Sequence, residues 1–213
     1  MQKKTILFYG DSNTHGTKPM SSFDKSDRFT SGERWTGILQ NSLKQYHIIE
    51  EGLPGRTTVH DDPIEGKHKN GLTYLRPCLE SHTPIDIFVL MLGTNDLKTR
   101  FSVTAADISY SINQLISEIK TYHLKSNQNC PKIILLCPPP IKESRGDLSN
   151  IFAGGEEKSK LLNHYYQKIA QKHHLTYLDV GSVVAVSEID GIYYDLDEQV
   201  QLAHSIHNLI ENL

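Results

Sequence analysis

The chain has 213 residues, a net charge of -3, and 38% hydrophobic and 22% charged residues. This composition can bury a sizeable core, which excludes a disordered chain, and it lacks the basic excess typical of nucleic-acid binding. No apolar run approaches the roughly 18 residues of a membrane-spanning helix, and the run that follows Lys4 is too short for a secretory leader. The three cysteines are odd in number and have no metal-ligand spacing, which favours reduced thiols. We therefore expect a cytoplasmic protein that binds no nucleic acid, membrane or metal.

Apolar runs along the chain predict five β-strands, and helical patterns lie between them. The predicted strands cover residues 5–9, 47–50, 86–92, 132–137 and 175–180. The third has the strongest signal, because its unbroken apolar run is typical of a strand buried on both faces. The predicted helices cover residues 35–43, a short segment around 72–79, a segment after residue 107, residues 156–173 and residues 197–213.

Two of these helices have informative patterns. Thr104 and Asp107 have the spacing of a capping box, which predicts a helix start there. The inward face of that helix is expected to carry Ile108, Ile112, Leu115, Ile116 and Ile119. The inward face of the last helix is expected to carry Val200, Ala203, Ile206, Ile210 and Leu213.

The alternation of strands and helices predicts an α/β fold in a single domain, residues 1–213. The expected architecture is one doubly wound, mostly parallel five-stranded sheet flanked by helices, with the flavodoxin-like strand order 2-1-3-4-5. In such sheets ligands bind outside the carboxyl ends of the strands, where the strand order reverses. The ends of strands two, one and three therefore mark the expected site.

Three loops follow those strand ends. The first contains Ser12 at a helix start, a candidate nucleophile, although a plain capped turn explains that loop equally well. The second contains Gly55, and the third contains Asn95. Gly55 and Asn95 offer groups that can donate hydrogen bonds to an oxyanion.

With these three blocks, the sequence resembles an SGNH (GDSL-type) serine hydrolase over nearly its whole length. The segments 50–58 and 91–98 are most similar to the arylesterase and acyltransferase branch. The resemblance implies a cofactor-free enzyme that acts on small acyl esters. Ser12 would be the nucleophile, its N–H would form the oxyanion hole with the Gly55 N–H and the Asn95 side chain, and Asp190 would be the third triad member. Members of that branch often form homo-oligomers, so the resemblance leaves a homo-oligomer open.

The chain departs from the family in its last block, Asp-x-x-His, which here runs from Asp190 to Tyr193. Tyr193 occupies the position of the general base. Imidazole titrates near pH 6.5 and can accept the serine proton, whereas a phenol titrates near pH 10 and is a poor base. Loss of one triad member costs roughly 10⁴- to 10⁶-fold in rate. We therefore expect weak activity.

Other residues have two interpretations each. His15 and His60 are candidate substitute bases or ordinary surface and capping residues. Asp11 either orients the Ser12 loop or caps the turn. Arg56 and Lys98 flank the expected oxyanion donors, and they either bind the acyl substrate or are solvated charges at the rim of the site.

Two further functions stay open from the sequence. A catalytically impaired relative would bind an acyl or carbohydrate ligand without turnover. A flavin binder would share the fold, but Gly55 and the segment 93–96 would then have no explanation. The natural acyl group and the acceptor, water or another alcohol, are not specified by the sequence.

Overall fold

A computed structural model describes residues 3–213. Five parallel strands form one sheet in the order β2-β1-β3-β4-β5, which confirms the predicted fold class and strand order. The strands are β1 Lys4–Gly10, β2 Tyr46–Gly52, β3 Ile87–Met91, β4 Lys132–Cys137 and β5 Thr176–Asp179. The α-helices are α1 Ser12–His15, α2 Trp35–Ser42, α3 Gly71–His82, α4 Ala105–Lys125, α5 Gly155–His173 and α6 Leu196–Glu211.

Each face of the sheet has its own hydrophobic core. Leu7 and Tyr9 of β1 pack into the core that includes residues of α3, α4 and α5. Ile6 and Phe8 point the opposite way, into the core that includes residues of α2 and α6. Successive side chains of a strand alternate between faces, so one buried strand supplies both cores.

The helices are amphipathic. The five apolar residues predicted for the inner face of α4 are fully buried, while Tyr110 and Leu124 of the same helix are largely exposed. Within residues 3–213, no helix combines the length and the apolar character that a bilayer crossing would require.

The carboxyl ends of the central strands meet closely beneath α1. Gly10 of β1 pairs with Gly52 of β2 on one side and with Met91 of β3 on the other. A Cβ atom on Gly10 would clash with the Thr14 side chain, and one on Gly52 would clash with the backbone of His15. The two glycines therefore allow α1 to lie directly over the strand ends.

Candidate active site

Ser12 opens α1 immediately after β1. Asp11 caps this short helix, and its Oδ1 accepts a hydrogen bond from the Asn13 N–H at 3.0 Å. Ser12 is 3% exposed and lines a cavity of about 680 Å³. Its backbone N–H has no acceptor among the described residues. The cap therefore holds Ser12 against the cavity with an unused donor beside its hydroxyl.

Gly55 and Asn95 line the same cavity from the loops after β2 and β3. Gly55 has φ +80°, a left-handed conformation that glycine adopts without strain. Within residues 3–213, its N–H also has no protein acceptor. Asn95 begins a short 3₁₀ turn, and its Nδ2 lies 3.4 Å from Asp11 Oδ2. The strand order thus brings the three predicted oxyanion residues to one cavity.

Tyr193 reaches this cavity from the loop between β5 and α6, whereas Asp190 of the same loop is buried outside the cavity lining. The Asp190 carboxylate accepts hydrogen bonds from three backbone N–H groups: Ile192 at 2.8 Å and Tyr193 at 3.0 Å on Oδ1, and Met20 at 2.8 Å on Oδ2. Burial raises the pKa of Asp190 although these hydrogen bonds oppose the rise. Asp190 is fully buried and holds two loops together.

Tyr193 lines the cavity beside Ser12. Burial, and next the charge of Asp190, raise the pKa of the Tyr193 phenol above its usual value, while a hydrogen bond with the Ser12 hydroxyl acts in the opposite direction. The phenol is therefore protonated at neutral pH. It offers a donor to a ligand and is a poor acceptor for the Ser12 proton.

A charged wall closes one side of the cavity. Lys98 is nearly buried and contacts the Glu65 and Asp62 carboxylates, the latter at 3.7 Å. Arg100 contacts the same two carboxylates, Asp62 at 3.1 Å and Glu65 at 3.4 Å. A Cβ atom on Gly55 would clash with the Glu65 carboxylate, so this wall lies against the oxyanion loop. Lys98 lines the cavity as one member of an ion-pair cluster.

The cavity also has an apolar lining. Of the charged and apolar lining residues, sequence reasoning assigned only Lys98 to the site. The apolar lining comprises Met20, Phe23, Ile64, Leu148, Ile151, Phe152 and Ile192. The wall residues Met20, Phe23, Ile64 and Glu65 belong to two long polar segments, 17–33 and 60–70. The sequence feature that could have identified these lining residues is the length of the two segments, because long connections in compact domains are commonly functional.

A profile of the GDSL-like lipase/acylhydrolase family matches residues 8–207. The native aryl esterase of M. smegmatis is 34% identical over 99% of both chains, with a TM-score of 0.93. A carbohydrate acetylesterase from Sinorhizobium meliloti is 34% identical over 99% of both chains, with a TM-score of 0.92. A search of curated protein sequences found no match.

The chain belongs to the GDSL-like lipase/acylhydrolase family. The resemblance inferred from the sequence is thereby confirmed at the level of the family and its fold. Since both similar structures are esterases, the family membership indicates a hydrolase.

Arg56 lies beneath the cavity of this family member and does not line it. Its guanidinium packs against the rings of Tyr9, at 4.1 Å, and Tyr74, at 5.2 Å. It donates to the carbonyl oxygens of Gly10, at 3.0 Å, and of Glu51. Arg56 therefore connects the ends of β1 and β2, which differs from the predicted contact with substrate.

The two candidate substitute bases occupy different places. His15 lines the cavity, and its Nδ1 lies 3.3 Å from Thr17 Oγ1. Burial, together with the charges of Arg28 and Arg34, lowers the pKa of His15 to about 4. His60 stacks on Phe101, outside the cavity lining. Only His15 shares the cavity with Ser12, and its low pKa makes it a weak base.

One group of metal-ligating side chains escaped the sequence analysis. The ligand atoms of Glu51, Cys78 and His82 lie within 4.8 Å of one another, because Cys78 and His82 are one turn apart on α3. However, Glu51 already contacts His82 Nε2 at 2.9 Å and Arg56 at 3.9 Å. Burial raises the pKa of the Cys78 thiol to about 12, so it stays protonated at neutral pH. We infer that these three side chains stabilise the loop that contains Arg56.

Proposed function

We propose that the protein is a serine esterase that transfers small acyl groups from esters to water or to another alcohol. The observation that supports this most directly is the pair of unused N–H donors, of Ser12 and Gly55, beside the Ser12 hydroxyl. Donors placed in advance at the carbonyl oxygen stabilise the charge that develops there in acyl transfer. The esterase names of the two similar structures agree with this assignment.

In the proposed reaction, Ser12 Oγ attacks the ester carbonyl carbon and loses its proton. The resulting oxyanion binds to the N–H groups of Ser12 and Gly55 and to the Asn95 side chain. Collapse of this intermediate expels the protonated alcohol and leaves an acyl group on Ser12, which water or a second alcohol then removes. Lys98 would contact the acyl substrate from the charged wall.

We expect this reaction to be slow. Tyr193 stands where the family has its general base, and its raised pKa leaves the phenol protonated. The Ser12 proton therefore has to pass to solvent, because Tyr193 is a poor acceptor and Asp190 is occupied by backbone N–H groups. The proposed role of Tyr193 is donation of a hydrogen bond within the site.

A second candidate function is binding of an acyl or carbohydrate ligand without turnover. The observation that favours it is the same Tyr193 phenol, which supplies a donor where catalysis needs an acceptor. A ligand-dependent rise in the melting temperature without product formation would support it.

Hydrolysis of p-nitrophenyl acetate by the native protein and by Ser12→Ala tests the esterase proposal. We expect a measurable native rate that disappears in Ser12→Ala. Ser81→Ala is the matched control, since Ser81 is exposed on α3, away from the cavity, and should leave the rate unchanged. Equal rates in the native protein and Ser12→Ala would overturn catalysis by Ser12.

We also propose a cytoplasmic location. Cys78, Cys130 and Cys137 all carry free thiols, and two of them are buried. Unpaired thiols are typical of a reducing compartment.

A further inference from the structure

The donors that meet at Ser12 point to a specific kind of ligand. The N–H groups of Ser12 and Gly55 and the Tyr193 hydroxyl all belong to residues of one cavity. The nearest carboxylate of the Tyr193 loop, Asp190, already accepts from three backbone N–H groups. The Tyr193 hydroxyl donates a hydrogen bond at the position where the family has its general base. Three donors at one site therefore favour a ligand that carries a negative charge.

Lys69 adds a positive charge beside the same donors. Its side chain lies against Gly55, its ammonium donates to the carbonyl oxygen of Pro54 at 2.7 Å, and it lines the cavity. Among residues 3–213, Lys69 has no carboxylate within ion-pair distance, whereas Lys98 and Arg100 share the carboxylates of Asp62 and Glu65. The charge of Lys69 is therefore available to a ligand at the oxyanion donors.

The other charges that line the cavity each have a charged partner nearby. Asp27 contacts Lys18, and Arg28 contacts the Glu50 carboxylate, which it shares with Arg34. Lys69 differs from them because it has no carboxylate partner and lies against Gly55, so it is the charge that an anion bound at the oxyanion donors would neutralise.

The apolar lining of the cavity favours an apolar body on such an anion. Phe23, Ile64 and Phe152 are among its apolar lining residues. Phe23 and Ile64 are mostly exposed, at 51% and 76%, so a flat apolar group would bury surface there.

We propose that this cavity binds the carboxylate of a small apolar or aryl carboxylic acid. Its two oxygens accept from the Ser12 and Gly55 N–H groups and from the Tyr193 hydroxyl, with Lys69 as counter-charge. The inference rests on the proposed function, because it uses the same oxyanion donors. It also makes the free acid, which is the product of aryl-ester or acyl-ester hydrolysis, an inhibitor of the esterase.

Calorimetric titration with benzoate and its neutral analogue benzamide at pH 7.5 tests the proposal. We expect benzoate to bind the native protein at least about tenfold more tightly than benzamide, as a charge-assisted hydrogen-bond set predicts. Tyr193→Phe and Lys69→Met should each weaken benzoate binding by about five- to tenfold, and Lys69→Met should leave binding of the uncharged benzamide unchanged. Lys67→Met is the matched control, since Lys67 is exposed outside the cavity lining.

Equal affinities for the two ligands, no binding of benzoate, or unchanged benzoate binding in both Tyr193→Phe and Lys69→Met would overturn the carboxylate site. Circular-dichroism melting of each variant verifies that it is folded.

Ser12→Ala separates this inference from the proposed function, because it keeps the N–H group and should still bind benzoate. If the protein binds benzoate more tightly than benzamide but hydrolyses esters at a rate that does not depend on Ser12, only the esterase proposal is overturned. Ser12-dependent hydrolysis without benzoate selectivity would overturn only the carboxylate site.

Discussion

Tyr193 offers Ser12 a hydrogen-bond donor where ester hydrolysis needs an acceptor, and a single substitution can reverse this. In Tyr193→His, a neutral imidazole near Ser12 could take the proton, and Asp190 lies three residues earlier to orient it. We expect kcat/KM for p-nitrophenyl acetate to rise by about 10²- to 10⁴-fold. The pH profile of the variant should show a new group that titrates near 6.5.

Tyr193→Phe is the control for this prediction, because it removes the hydroxyl without adding a base and should give no increase. If Tyr193→His is no faster than the native protein, residue 193 does not stand at the position of the catalytic base.

Arg56 shows why the role of one residue can be invisible in the sequence. Its position beside Gly55 predicted either a contact with substrate or a solvated charge at the rim, but its partners, the rings of Tyr9 and Tyr74, lie far from it in the chain. Only the folded chain brings these two rings against the guanidinium. The stacking could not have been derived from the spacing of residues in the loop.

Arg56→Met tests this structural role. The variant removes the buried guanidinium that donates to the Gly10 and Glu51 carbonyl oxygens, although Gly10 keeps the Leu53 N–H as a donor at 3.1 Å. We expect the free energy of unfolding to fall by about 2–4 kcal/mol. Arg76→Met is the matched control: Arg76 also packs on a ring, that of Tyr122 at 5.0 Å, but its side chain is 41% exposed. It should cost less than about 1 kcal/mol in urea unfolding. Equal losses in the two variants would contradict the buried role of Arg56.

At the scale of the element, the start of α4 was readable from the sequence. Thr104 Oγ1 accepts from the Asp107 N–H at 3.1 Å, and Asp107 Oδ2 accepts from the Thr104 N–H at 2.9 Å. A capping box uses only residues three apart, so local spacing was enough to find it.

Thr104→Ala should lower the free energy of unfolding by about 1 kcal/mol, because it removes one side of the box. Thr121→Ala in the same helix is the control, and it should be neutral or slightly stabilising since alanine has the higher helix propensity. Both are measured by urea unfolding. A larger loss in Thr121→Ala than in Thr104→Ala would show that helix propensity outweighs the cap.

The inner face of α6 was predicted less well. Val200 is 37% exposed and Leu213 is 38% exposed, so their predicted inward positions are wrong. Gln199 is buried instead, and its Oε1 accepts from the Trp35 N–H at 3.1 Å. Hydrophobic periodicity assigns polar residues to solvent, and it cannot foresee a buried amide that satisfies a helix start elsewhere in the chain.

The strand order is the feature of the fold from which most of the candidate site could be predicted. Five alternating strands and helices leave few topologies, and the order 2-1-3-4-5 places the loops of Ser12, Gly55 and Asn95 side by side. The walls of the cavity were not predictable in the same way. They come from the polar segments 17–33 and 60–70, whose paths depend on contacts such as the Met20 N–H with Asp190.

Asp96 connects the site to the stability of the whole fold. It is fully buried, and its carboxylate accepts from the Thr58 N–H at 3.0 Å and from the Thr58 hydroxyl at 2.5 Å. Burial raises the pKa of Asp96 to about 7. The folded chain therefore binds a proton that the unfolded chain has already released above pH 4, so this group makes the fold less stable as pH rises through 7.

Asp96→Asn isolates this effect. The advantage of the native protein over Asp96→Asn in free energy of unfolding should fall by about 1.4 kcal/mol between pH 6 and pH 8, as one titrating group predicts. Histidines with lowered pKa values change stability in the opposite direction, and those away from Asp96, such as His15, cancel in the difference. His60 lies 3.7 Å from Asp96, so the measurement is made on a His60→Gln background. Asp107→Asn is the control: hydrogen bonds from Thr104 lower the pKa of Asp107, so it is ionised in both states over this range. Its difference from the native protein should not vary with pH. A constant difference for Asp96→Asn as well would mean that Asp96 is already ionised at pH 6, and that its bonds to Thr58 outweigh its burial.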